Sequence, residues 1–143
     1  MNVFSMSPKI AVCITIAWLV APSRGAGAAE VSSLWLAPPV DGPVVERFRE
    51  PATKWGEGHR GIDYAVARGT AVRAAAAGDV AFAGQVAGIL AVTIDHGVVQ
   101  TTYSSLATVD VTEGQHVGRG HWIGSAGSAH PGGSDGLHLG VKI

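Results

Sequence analysis

Beyond residue 30 the chain predicts an all-β fold of short strands joined by tight turns, and three observations support that class. The twenty glycines are spread through the sequence, while aromatic residues make up only 6% of it, a balance that suits many turns and few wide helix faces. No apolar pattern keeps a 3.6-residue period for the length of a helix. Several segments instead alternate apolar with polar or small side chains, as in AVTID (Ala91–Asp95) and QTTYS (Gln100–Ser104), the period of a strand with one buried face.

The N-terminus must be set aside before any strand is drawn. Residues Met1–Lys9 hold one basic side chain, and Ile10–Pro22 form an almost unbroken apolar run, IAVCITIAWLVAP. That run is short for a bilayer span. It leads into SRGAGAAE, where Ala26 and Ala28 sit at the small-residue spacing that a signal peptidase needs. Residues 1–28 are therefore expected to be an export signal with a short helix, cleaved near Ala28, which makes the rest secreted or extracytoplasmic. The alternative is a retained anchor, and that would be the chain's only membrane contact. Cys13, the single cysteine, lies inside this run, so the mature part has no disulfide and relies on its core or on a metal.

Residues 29–43, with Pro38, Pro39 and Pro43, read as an extended lead-in, and the globular domain is placed at 44–143. Its candidate strands are Val44–Phe48, Gly61–Ala65, Ala71–Ala75, Gly78–Ala83, Leu90–Asp95, Gln100–Ser104, Trp122–Ser125 and Leu137–Ile143, punctuated by Gly84, Gly88, Gly97, Gly114, Gly118 and Gly120. Ala74–Ala77 has helical propensity, but its shortness and Gly78 favour a strand ending there. Ten Lys and Arg against eleven Asp and Glu leave a net charge of −1. Such a surface argues against nucleic acid as a partner.

Three residues stand out as candidate metal ligands: His59 and Asp63 in HRGID, and His138 in LHLGV. A step of four residues along one strand returns a side chain to the same face. Two imidazoles and a carboxylate form a donor set suited to zinc, with the fourth position left for water. Spacing alone also allows a surface or hydrogen-bonded histidine at each position.

The order of the blocks adds to this. GHRGIDYAVARGTAVRAAAAGDVAFAG (58–84), VTIDHG (92–97), TTYSSL (101–106), EGQHVGRGHWIGSAG (113–127) and LHLGVK (137–142) together resemble the lysostaphin-type (LytM-like) zinc metallopeptidases, which cleave peptide bonds in bacterial murein. The resemblance implies an antiparallel β-sandwich, similar to a duplicated hybrid motif. It implies one zinc ion on His59 and Asp63 of an HxGxD motif and on His138, the last residue of the family's HxH. It also implies peptidoglycan peptides as substrate and a zinc-activated water as nucleophile.

Two positions depart from the family pattern. Family enzymes carry two histidines that do not hold the metal but bind or polarise the water or the developing oxyanion. The first His of HxH is Gly136 here, and the His of YxHL is Ser105. His130 and Asp135, in the glycine-rich segment HPGGSDG, are the candidate catalytic replacements, with Glu57 as a third. If none serves, the chain is a degenerate relative that binds zinc and peptidoglycan and regulates another cell-wall hydrolase. A third class, the biotinyl or lipoyl carrier, is suggested by the hairpins GTAVRAAAAGDV and EGQHVGRGHWIG. It needs a lysine at a central hairpin tip, and Lys9, Lys54 and Lys142 are not so placed. Among the other residues, Tyr103 is expected to stack in the sheet and His96 to make a strand-end hydrogen bond. His116 and His121 are expected at the exposed surface, and Arg60 is expected to face away from the ligands.

Overall fold

The computed structural model describes residues 34–128 and 135–143. The expected signal helix and His130 lie outside the described residues. Within them there is no helix, and the all-β antiparallel class holds. Nine strands follow in chain order: β1 Val44–Glu46, β2 Gly61–Tyr64, β3 Ala71–Arg73, β4 Gly78–Val86, β5 Ile89–Asp95, β6 Gln100–Val109, β7 His116–Val117, β8 Trp122–Ser128 and β9 Asp135–Lys142. They join in one hydrogen-bonded path, β1-β2-β9-β8-β6-β5-β4-β7, with β3 on β8 and a further pairing of β9 with β6.

The hairpin from β4 to β5 shows local chemistry setting the register. Val86 pairs with Ile89, and the two residues between them, Ala87 and Gly88, have φ of 49° and 85°. A two-residue turn with both φ positive matches the right-handed strand twist. The alternation read from the sequence is then realised across strands. Val92 faces Tyr103 and Tyr103 faces Leu139, and these join Val72, Val80, Ile94, Ile123 and Leu137 in the core. Val40, from the lead-in, is buried with them; Ala37 donates to the Ala75 carbonyl and Arg73 to the Pro39 carbonyl, so this segment lines the sheet.

The opposite face of the same strands carries a second row. Ala91 faces Ser104, Ser104 faces His138, and His138 faces Asp63. The next row on that face is Thr93, Thr102, Gly140 and Gly61, all small side chains. The sheet beside the His138–Asp63 pair therefore carries only short side chains in this row.

Strand β6 is the hinge of the topology. Gln100–Ser104 pairs with β9, whereas Leu106–Val109 pairs with β8. Ser105 sits where one partner is exchanged for the other, with φ of +65°. Left-handed backbone at a non-glycine residue costs on the order of 1–2 kcal/mol and persists only where the surroundings enforce it.

Each of the eight expected strands has different bounds: β1 and β2 end at Glu46 and Tyr64, β4 runs on to Val86, β5 starts at Ile89 and β9 spans Asp135–Lys142. β6 continues through Ser105 to Val109, and β8 runs on to Ser128. β3 stops at Arg73, and Ala74–Ala76 form a buried connection instead. β7 is an added two-residue strand on β4.

Candidate metal centre

Asp63 and His138 reach each other because β2 and β9 are antiparallel neighbours in which these two residues are direct partners. His59 arrives differently. It precedes β2 and makes an isolated bridge with Arg49, held by paired backbone hydrogen bonds of 2.9 Å in each direction. The expectation that His59 and Asp63 share one strand thus applies to Asp63 alone; extended backbone through Arg60 still brings both side chains to one side.

The donor atoms converge. Asp63 Oδ1 lies 2.6 Å from His138 Nδ1 and 3.1 Å from His59 Nε2. One ligand atom from each of the three residues lies within 4.8 Å of the other two. The imidazoles meet edge to face, with ring centroids 5.1 Å apart and planes at 82°. The second nitrogen of His59, Nδ1, donates to the Arg47 carbonyl at 3.0 Å. A carbonyl can only accept, so this contact fixes the tautomer and turns the Nε2 lone pair toward Asp63. His59 and Asp63 are 7% and 3% exposed, while the His138 side chain, at 21%, leaves the cluster open on one side.

This donor set fits a tetrahedral cation. Metal–ligand bonds of about 2.0–2.1 Å place adjacent donors roughly 3.3 Å apart, close to the 3.1 Å between Asp63 Oδ1 and His59 Nε2, whereas the 2.6 Å to His138 Nδ1 is a hydrogen-bond distance. Gly61 gives an independent sign of the fit. A Cβ there would lie 2.6 Å from His138 Nε2 and against the Leu139 carbonyl oxygen, so the imidazole occupies space that only glycine leaves. Gly61→Ala is expected to displace the His138 ring and lose about 1–3 kcal/mol of stability together with metal affinity. Thermal melting and chelator competition on the purified variant measure both effects.

The other candidates are placed as follows. Asp135 begins β9, is exposed, and accepts a hydrogen bond from Ser128 Oγ at 3.4 Å; by the strand's period of two it shares a side with Leu137, opposite to His138. Glu57 is exposed and, like Asp135, is not in the donor cluster. Gly136 lies two residues before His138 and on its side, paired with Gly127 of β8. Ser105 is buried directly after Ser104, the cross-strand neighbour of His138. Arg60 is exposed and donates to the Lys54 carbonyl at 2.7 Å.

His96 sits at the strand end with Nδ1 2.8 Å from the Ala77 carbonyl and Nε2 2.8 Å from Thr101 Oγ1. Tyr103 is fully buried, and its hydroxyl accepts from the Ala75 N–H at 2.7 Å. Burial pushes the Tyr103 phenol above its ordinary value, so it stays protonated. His116 and His121 are exposed, and His116 pairs with Asp79 at 2.7 Å.

Sequence reasoning missed the Arg47 carbonyl that orients His59. Every residue carries such a carbonyl, so nothing in the side-chain pattern marks it. Ser104 was equally silent, because its place beside His138 is a matter of register.

Comparison with known proteins agrees with the geometry. The Mycobacterium tuberculosis protein Rv2891 is 38% identical over 90 residues, which is 62% of this chain and 36% of that protein; the chain thus spans about a third of the curated relatives it matches. Among solved structures, a zinc containing peptidase from Vibrio cholerae is 27% identical with a TM-score of 0.66, over 77% of this chain and 37% of that one. The catalytic domain of the antimicrobial peptidase lysostaphin from Staphylococcus simulans shares the fold, with a TM-score of 0.60 at 24% identity over 70% of this chain and 79% of that one. The sequence model of Peptidase family M23 matches residues 57–143, a segment that includes His59, Asp63 and His138, and the chain belongs to that family.

Proposed function

We propose that this is a secreted, murein-directed zinc metalloendopeptidase domain that cleaves peptide cross-bridges of peptidoglycan. The observation that supports it best is the convergence of His59 Nε2, Asp63 Oδ1 and His138 Nδ1 inside the segment matched by a peptidase family. A zinc ion on these donors supplies a Lewis acid that lowers the pKa of water toward neutrality. Zinc is also named for the Vibrio cholerae peptidase that this chain resembles. Asp63 contributes the anionic donor, and the Arg47 carbonyl holds His59 in the tautomer that ligation needs. The small-residue row of Thr93, Thr102 and Gly140 floors a strip beside His138, where an extended peptide can lie on a rigid sheet. The apolar run and Ala26–Ala28 support export of the domain.

A second reading rests on Ser105 and Gly136. With neither auxiliary histidine, turnover is slow, and the domain serves as a zinc- and peptidoglycan-binding regulator of another cell-wall hydrolase. Digestion of purified murein by the zinc-loaded domain, with and without chelator, tests both. New amino termini that vanish on chelation are expected of the peptidase. Co-sedimentation with murein and stimulation of a second hydrolase, with no new amino termini, is expected of the regulator. Absence of cleavage and of binding contradicts both.

A further inference from the structure

A cavity of about 430 Å³ is lined in part by Arg68, Gln85, Leu90, Ser105, Gly127 and Ser128. Its position follows from the register. Ser105 is the residue after Ser104, the direct partner of His138. Gly127 is the direct partner of Gly136, two residues before His138 on the same side of β9. The cavity wall therefore includes the residue next along β6 from the partner of His138 and the partner of Gly136 on β8. One of the positions where family members carry an auxiliary imidazole, Ser105, forms part of its wall.

The electrostatics of this cavity are one-sided. Among the described residues, Arg68 is the only charged one that lines it, and no carboxylate among them is paired with Arg68. Arg68 is exposed, but the backbone that carries it is held in place. It stands in the turn between β2 and β3, where Gly69 N–H donates to the Ala126 carbonyl and Ala126 N–H donates to the Thr70 carbonyl, each at 2.8 Å. The turn is thereby tied to β8, which supplies Gly127 and Ser128. A guanidinium offers a planar fork of donors that matches a carboxylate in two places. Gln85 adds an amide to the same wall, while the Ser128 hydroxyl there donates to Asp135 at 3.4 Å.

We infer that this cavity is a subsite for a carboxylate-bearing part of the peptide substrate, with Arg68 as its specificity-determining cation. The inference rests on the peptidase reading above. The carboxylate comes either from a free peptide C-terminus or from an acidic side chain near the bond that faces the metal donors. Both sources present the same planar anion, and substituents that are amidated at that point are disfavoured.

The test is calorimetric titration of the zinc-loaded domain with short acetylated peptides of glycine and alanine. One pair differs only in a C-terminal carboxylate against carboxamide, and a second pair, amidated at the terminus, differs in an internal Glu against Gln. The wild type is expected to prefer the carboxylate member of at least one pair by about 10-fold or more; which pair responds identifies the source. Arg68→Gln is expected to abolish the preference while binding the uncharged peptide as before, and Arg68→Lys to keep part of it. Unchanged zinc content and melting temperature in both variants establish that fold and metal site are intact. Equal binding of both members of each pair by the wild type, or a preference that survives Arg68→Gln, overturns this inference and leaves the peptidase reading standing. Failure to bind any of the four peptides contradicts both.

Discussion

Replacing Ser105 and Gly136 together by histidine is expected to raise the rate of murein peptide release by about 10²- to 10⁴-fold, the range that positioned acid–base groups contribute. The backbone is already disposed for it. Ser105 has φ of +65°, and histidine is among the residues that populate left-handed conformations more readily than most. An imidazole at 105 would start one residue from Ser104, the partner of His138. One at 136 would project from the same side of β9 as His138. Two groups that polarise one water act as a unit, so each single variant is expected to fall well short of the double one. Initial rates of amino-group release from purified murein, at saturating zinc, are the measurement. A folded, zinc-loaded double variant with the wild-type rate would show that these positions do not limit turnover.

Asp63→Asn is expected to weaken zinc binding by more than about 100-fold, since loss of a direct ligand exceeds the 10- to 100-fold typical of groups that only orient ligands. The substitution keeps the shape of the side chain and removes the charge that both imidazoles face at 2.6 and 3.1 Å. A ligand that binds only the folded state stabilises it by about 4 kcal/mol at a thousand times its dissociation constant. Zinc should therefore raise the melting temperature of the wild type and leave that of Asp63→Asn almost unchanged. An equal thermal shift in the two proteins would place the ion elsewhere.

The sequence made the strands legible wherever their alternation ran long enough to be seen. AVTID and QTTYS became the paired centres of β5 and β6, with Val92 opposite Tyr103 and Ile94 opposite Thr101. The pattern failed where geometry interrupts it. At Ser105 the chain changes partner, and Ser105 and Leu106 are buried in succession, so the second half of β6 lost its period. β7 has two residues, too few for any period, although Val117 is fully buried on β4. Ala74–Ala76 carry helical propensity, yet the segment packs as a connection whose Ala75 N–H is taken by the Tyr103 hydroxyl; a tertiary contact decided it.

The metal centre divides in the same way. Its three donors could be named from HRGID and LHLGV, because imidazole and carboxylate chemistry belongs to the side chain. The features that aim them, the Arg47 carbonyl and the missing Cβ of Gly61 whose place the His138 ring takes, depend on which backbones lie alongside. Arg68 drew no notice for a related reason. A lone arginine before a glycine turn is unremarkable until folding brings it to the wall of a cavity with Ser105.

Metal content tests most directly whether His59, Asp63 and His138 form one zinc site. The purified domain, dialysed against trace zinc and analysed by elemental mass spectrometry, is expected to retain one equivalent per chain, and His138→Ala prepared alongside is expected to retain almost none. Equal zinc in the two preparations, or none in the wild type, would contradict that site.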